Sequence, residues 1–379
     1  MSKYSHIAAP AYILDESLLK KNLELMSDVQ RRAGVDIILA FKGFAMWSTF
    51  PLVRKYLSGA TASSLYEARL CFEEMNTRAH TYSAAYIPSE FESILGYSSH
   101  ITFNSLNQFL RYKNQVQNYP EHVSCGIRVN PEYSEVSTDL YNPCTPGSRL
   151  GASAEHFVDG MPEGVEGLHF HALCESSSYE LEKVLENFER LFGHLLGSMK
   201  WVNMGGGHLM TRAGYDTEHL IDVLRRFKSK YPHLNVILEP GSAVAWQTGV
   251  LTSVVLDIVE NKGIKTLMMD TSFTAHMPDC LEMPYRPKIS GATDLVEGKP
   301  TYRIGGTSCL SGDYMDFYSF EKPVNIGDVL VFEDMIHYTM VKTTMFNGVH
   351  HPDIVILREN GEAEVVRRFE YDDYKNRLS

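Results

Sequence analysis

The chain has no CxxC pair. Its six cysteines, at positions 71, 125, 144, 174, 280 and 309, are scattered through 379 residues. That spacing argues against a zinc site or a disulfide frame and fits reduced thiols, so no metal centre is expected. No run approaches the roughly 18 apolar residues of a membrane span, so no membrane partner is expected. Positive charge is not in excess: 35 Lys and Arg face 47 Asp and Glu, a net −12. This balance argues against nucleic acid or an anionic membrane and is compatible with a cationic substrate. The opening MSKYSHIAAPAYIL lacks a long apolar core, so a secretory leader is not expected and a cytoplasmic location is. Repeats and low-complexity tracts are also missing.

What is present is alternation. Short apolar, strand-like runs lie at 36–41, 80–83, 101–104, 125–129, 167–171, 200–204 and 235–239, with a weaker one at 59–62. Helical segments lie between many of them. SSLYEARLCFEEM (63–75) opens on a serine cap with Glu67 in its first turn. The segment after Ser177 puts Leu181, Val184, Leu185 and Phe188 on one face, and the one after Asp216 does the same with Leu220, Val223, Leu224 and Phe227. Strands alternating with helices imply a parallel sheet. Eight units within residues 15–245 predict an α/β fold with a TIM-like (β/α)8 barrel, a doubly wound sheet being the alternative. Beyond residue 245 the sequence becomes β-rich, with Gly and Pro between short runs. This predicts a second domain over 246–379, a β-sandwich or β-barrel, joined by an N-terminal strand at 7–14.

In such a barrel the chemistry lies at the C-terminal strand ends. DIILAFKGF (36–44) delivers Lys42 there. GLHFH brings His169 and His171 to one side by its period of two, WVNMGGG brings Gly205, Gly206 and Gly207, and NVILEPG brings Glu239. Taken singly, each has a plainer explanation: a surface lysine, a packed histidine, glycines closing a turn. Together they place an amine, an imidazole, a flexible backbone and a carboxylate on one rim. Glycine amides suit a phosphate, a lysine suits an aldehyde and a carboxylate suits a ring nitrogen, which is the chemistry of pyridoxal 5′-phosphate. Lys42 is then the Schiff-base lysine.

Eight segments in order (LAFKGF, YNPCTPGSRLG, GLHFHALCE, WVNMGGGH, LEPGSAVAWQTG, DTSFTAHMPD, GGTSCLSGD and IHYTMVKTTMFNG) resemble the fold type III pyridoxal-phosphate decarboxylases, the group that includes the ornithine and diaminopimelate enzymes. The resemblance covers almost the whole chain. It implies that His171 stacks on the cofactor ring, that the three glycines and Tyr338 bind its phosphate, and that Glu239 pairs with its nitrogen. It implies a homodimer with shared sites, in which Cys309 reaches the neighbouring subunit and protonates the product carbon. Arg149, His276, Asp313 and Glu239 become candidate substrate contacts. Two departures stand out. Ser242 occupies the place where ornithine-specific relatives carry an arginine after EPG, and Leu310 replaces the acid that follows their cysteine. The second argues against a short diamino acid and for a long carboxylated polyamine such as carboxynorspermidine or carboxyspermidine, with Asp279, Glu282 and Asp313 as carboxylates along its path. Diaminopimelate, ornithine or arginine, or an inactive regulatory relative on the same fold, remain the alternatives.

Overall fold

The structure is a computed structural model describing residues 3–136, 139–283 and 285–379. It divides into two compact units, Lys20–Val244 and Met1–Leu19 with Ala245–Ser379.

In the first unit eight parallel strands close into a barrel in chain order. Numbering the N-terminal strand Ala11–Asp15 as β1, these are β2 (Asp36–Ala40), β3 (Gly59–Ala62), β4 (Ala79–Ser83), β5 (Ser98–Phe103), β6 (Ser124–Arg128), β7 (Gly167–His169), β8 (Trp201–Asn203) and β9 (Asn235–Leu238). Closure is made where Asp36 and Ile37 pair with Ile237 and Leu238. All eight expected strands are present, including the weak GATA segment. β7 stops at His169, so His171 lies in the loop beyond it. The helices start where the caps predict. Ser64 accepts from the Glu67 N–H at 3.2 Å to open Leu65–Glu74, and Ser177 with Glu180 forms a capping box before Ser178–Phe192. Leu181, Val184, Leu185 and Phe188 of that helix are buried, as are Leu220, Val223, Leu224 and Phe227 of Thr217–Lys230.

The barrel interior is filled around Trp201, packed with Ile38 and Ile237. Its ring lies over two glycines on neighbouring strands: a Cβ at Gly126 or Gly167 would come within 2.2 or 2.0 Å of it. The indole Nε1–H donates to Ser124 Oγ at 2.9 Å. His80 and His100 stack with centroids 3.8 Å apart, and His100 meets Trp201 edge-on. A large ring therefore requires small residues opposite it.

The second unit is one nine-stranded mixed sheet. β1 lies between β10 (Gly249–Asn261), antiparallel, and β16 (Asp353–Leu357), parallel. The thirteen-residue β10 is shared by two groups of strands. Its first half pairs with β15 (Val329–Glu333); its second half, past a register shift at Val255/Asp257, pairs with β11 (Ile264–Met269). β12 (Ala292–Thr293), β13 (Thr301–Gly305) and β14 (Tyr314–Phe320) extend one side, and β17 (Ala363–Arg367) ends the other. A Cβ at Gly249 would sit 2.1 Å from Ile13 O, so only glycine allows β1 this close. Among the described residues no helix is long and apolar enough to cross a membrane, and no group of three His, Cys, Asp or Glu could hold a metal ion.

Gly167→Ala should lower unfolding free energy by about 1–3 kcal/mol through overpacking against Trp201. Gly197→Ala, where a Cβ meets nothing within 4 Å, should change it by no more than about 0.5 kcal/mol. Paired thermal melts measure both, and equal midpoints would contradict the packing account.

Candidate active site

The site is built on Glu239, which directly follows β9 and is 8% exposed. Oε1 lies 3.1 Å from His169 Nε2 at the end of β7, and Oε2 accepts from Asn203 Nδ2 at 2.9 Å at the end of β8. Burial alone would raise its pKa. His169, Asn203 and Lys42 outweigh burial and hold the carboxyl down at about 2. Burial, opposed by Glu239, keeps His169 below the ordinary imidazole value, so near neutral pH the pair is a hydrogen bond from a neutral ring rather than an ion pair. That bond assigns the His169 proton to Nε2, and the buried Nδ1 has no partner.

Asn203 does two jobs. Its Oδ1 accepts from the Gly205 N–H at 2.9 Å, so the carboxylate and the glycine loop are held by one amide. The Gly206 N–H donates to His171 Nδ1 at 2.8 Å, which fixes that ring and leaves its proton on Nε2. Burial first, then the Lys42 and Arg128 charges, push His171 well below the usual imidazole value. Gly205 and Gly207 have φ of 70° and 87°. A Cβ at Gly205, Gly206 or Gly207 would come within 2.4, 2.5 or 2.2 Å of the carbonyls of Phe170, Glu239 and Leu173. The glycines thus serve close backbone approach as well as left-handed turns. Among the described residues the Gly207 N–H donates to no protein acceptor.

Lys42 lies two residues past β2. Its side chain is reached by water, yet protein surrounds the amine. Desolvation of the amine is therefore partial, but its direction is fixed. Burial lowers the Lys42 pKa, Glu239 pulls the other way and Arg128 adds to the depression. Gly43 follows because a Cβ there would lie 2.7 Å from the Gly241 Cα of the EPG turn.

Lys42, His171, the three glycines and Glu239 therefore meet on one rim. Arg149 belongs to the same unit but is exposed, in a loop whose backbone is pinned by Asn104: Nδ2 donates to Arg149 O, and Oδ1 accepts from the Gly151 N–H, both at 2.8 Å. His276, Cys309, Asp313 and Tyr338 belong to the other unit. His276 is fully buried, its Nδ1 accepting from the Ser272 N–H at 3.2 Å. Asp313 is 4% exposed, with both oxygens engaged by protein donors. Tyr338 sits at a φ of 39°. The Cys309 thiol is exposed, whereas burial pushes Cys71, Cys125 and Cys280 up to about 12. Lys342 Nζ pairs with Asp279 at 2.8 Å and with Glu282.

Sequence reasoning missed Asn203 and Arg128. Arg128 ends β6 almost fully buried, its guanidinium 4.8 Å from the Tyr82 ring centroid and donating to His171 O at 3.3 Å. The signal that singled out Lys42, a polar residue closing an apolar parallel strand, applies equally to SCGIR and WVN. Glu67 does more than its place in the first helical turn suggests. Its carboxylate accepts from the Ser63 N–H at 2.6 Å and also feels the Lys42 charge, while burial raises its pKa.

Buried histidines make the fold acid-sensitive. Burial lowers His80 to about 3, and His100 and His208 to about 4. Above the ordinary imidazole pKa of about 6.5 these rings are neutral in both folded and unfolded chains. Below it the unfolded chain binds protons that the folded chain refuses, so stability drains as pH falls toward 4. Glu239 continues the loss from the ordinary carboxyl range down to about 2. The thermal midpoint should be nearly level between pH 7 and 8 and fall steadily from 6.5 to 4, with His80→Phe removing part of the slope. A midpoint that rises on acidification would contradict the assignment.

Comparison with known proteins places this arrangement. The chain is 51% identical over 99% of its length, and 97% of the relative's, to carboxyaminopropylagmatine decarboxylase of Synechocystis sp.. It is 44% identical, with 99% of each chain covered, to carboxynorspermidine/carboxyspermidine decarboxylase of Campylobacter jejuni. The crystal structure of the Campylobacter jejuni carboxynorspermidine decarboxylase complexed with norspermidine superposes with a TM-score of 0.90 at 43% identity, covering 98% of this chain and all of that one. The family described as pyridoxal-dependent decarboxylase, C-terminal sheet domain, matches residues 12–336, barrel and sheet together. On this evidence the chain belongs to the pyridoxal-dependent decarboxylases of the ornithine and diaminopimelate type.

Proposed function

We propose that this chain decarboxylates a carboxylated polyamine, carboxynorspermidine or carboxyspermidine, in polyamine biosynthesis. The observation that carries the reading is the ionised, buried Glu239 carboxylate sharing a rim with the Lys42 amine. The substrate class rests on the named activities of relatives similar over their full length.

The residues present fit pyridoxal phosphate. A buried anion, a neutral imidazole with a fixed ring, a lysine kept below its ordinary pKa and an uncommitted Gly207 N–H match the cofactor's ring nitrogen, ring face, aldehyde and phosphate in turn. Lys42 would hold the aldehyde carbon, Glu239 the nitrogen, His171 the ring, and Gly207 the phosphate. Gly205 and Gly206 instead shape the loop by letting it approach the Phe170 and Glu239 carbonyls, since their N–H groups already have acceptors. Bound there, the cofactor supplies a protonated pyridine that takes up the electron pair left when CO2 departs. Glu239 keeps that proton in place, because its partners hold it ionised across the working pH range. Cys309 gives a proton to the carbon that has lost CO2, and solvent reprotonates the thiolate. The enzyme works as a homodimer in the cytoplasm, with Cys309 serving the partner's site. The exposed position of that thiol, unlike the buried Cys71, Cys125 and Cys280, supports this.

A second substrate has a specific observation behind it. The 51% identical relative carries the name of carboxyaminopropylagmatine, whose far end is a guanidinium instead of an ammonium. CO2 release should be compared across carboxynorspermidine, carboxyspermidine, carboxyaminopropylagmatine, diaminopimelate, ornithine and arginine. Carboxylated polyamines should exceed the short amino acids in kcat/KM by at least about tenfold, near 1.4 kcal/mol of transition-state discrimination. Equal use of diaminopimelate or ornithine would overturn the substrate reading, and the winner among the three long substrates decides its end group. Independently, Glu239→Gln should retain the cofactor while slowing CO2 release by about 10²-fold or more; near-normal turnover would remove Glu239 from its role.

A further inference from the structure

The geometry points to Asn347 as a positioning residue for the Cys309 thiol, with Asp313 as the foundation of the same loop. The inference rests on the proposed role of Cys309 as proton donor. Cys309 lies in loop 306–313, between paired residues Gly305 and Tyr314 of the β13–β14 hairpin. A thiol at an exposed hairpin tip is ordinarily mobile. Here the tip is tied from two sides. From inside, the buried Asp313 carboxylate accepts from Ser308 Oγ at 2.6 Å, from the Ser308 N–H at 3.1 Å and from the Thr274 N–H at 3.1 Å. A Cβ at Gly306 would sit 2.4 Å from that carboxylate, so glycine makes room for it. Gly306 N–H and Asp313 O close the loop base at 2.7 Å.

From outside, the Cys309 N–H donates to Asn347 Oδ1 at 2.8 Å. Asn347 has φ 57° and ψ 9°, the left-handed conformation that asparagine tolerates better than other side-chain-bearing residues. Its turn is backed by Tyr374: a Cβ at Gly348 would lie 3.3 Å from that ring. Asn347 and Cys309 are both exposed. A single exposed hydrogen bond of this kind contributes little to folding, so its evident consequence is where the thiol stands. Because a misplacement near 1 Å can slow a reaction about 10²-fold, a group that fixes the loop acts on turnover without touching substrate.

Four holoenzyme variants test this. Asn347→Gly removes Oδ1 while keeping the left-handed backbone, Asn347→Asp restores an acceptor, Cys309→Ala removes the thiol, and the double variant combines Cys309→Ala with Asn347→Gly. Asn347→Gly should lower kcat by about tenfold or more with KM changed less than about twofold. Asn347→Asp should recover most of that loss, and hydrogen exchange at the Cys309 amide should quicken in the glycine variant only. In the Cys309→Ala background Asn347→Gly should cause no further loss. An unchanged kcat in Asn347→Gly, an effect confined to KM, or an equal loss in both backgrounds would overturn the positioning role while leaving Cys309 as proton donor. Wild-type turnover by Cys309→Ala would instead overturn the role of Cys309, and the inference with it.

Discussion

A carboxylate kept ionised inside the barrel is the constraint on which the rim depends. Desolvating a lone charge of this kind costs several kcal/mol unless it is paired and hydrogen-bonded. Glu239 is partnered from the two strands that precede its own, by His169 of β7 and Asn203 of β8. Each partner then settles something else. His169 is locked into one tautomer, with a bare Nδ1. Asn203 can turn its amide only one way, which directs Oδ1 at the Gly205 N–H and sets the start of the glycine loop. That loop donates to His171 and orients its ring. Function and folding therefore draw on the same charge.

Backbone proximity is the second requirement of this rim. Lys42 can stand beside Glu239 only if the turn after β2 and the turn after β9 come together, and Gly43 and Gly241 allow it: a Cβ on either would lie 2.7–3.1 Å from the other's Cα. The glycine that follows Lys42 is thus not a flexible hinge for the lysine. It is the point where two strand ends touch.

The barrel was legible because its strands are short apolar runs separated by capped helices, and both signals are local. The catalytic rim was partly legible because a polar residue ending an apolar strand is a local signal too. It identified Lys42 and Glu239, and applied evenly it would have identified Arg128 and Asn203. What could not be read were the partnerships. That the Gly206 amide serves His171, or that Asp313 accepts from the Thr274 N–H, depends on contacts between segments distant in sequence. The same is true of Gly126 and Gly167, whose requirement exists only because Trp201 of β8 lies across them. The strands beyond 245 are local features of the sequence, but the long β10 joining two groups through a register shift is a property of pairing.

The electrostatics of the sheet unit bear on how a long substrate would be selected. Asp279 and Glu282 looked from the sequence like carboxylates for a polycation. Both are already paired with Lys342, whose side chain is 29% exposed. A substrate ammonium arriving there would exchange one cation for another, and an exposed ion pair gives only about 0–1 kcal/mol in any case. Asp313 is committed to its own loop. Attraction by free carboxylates is therefore a weak basis for preferring a polyamine. Exclusion is a stronger one. On the proposed role of the Cys309 loop, Leu310, 45% exposed beside Cys309, would present a hydrocarbon where a short diamino acid needs an anion for its second ammonium. Leaving a desolvated ammonium unpaired costs more than an exposed pair returns. On the proposed role of this loop, discrimination comes from what the position after the cysteine withholds from a short substrate, while a longer one carries its distal charge past it.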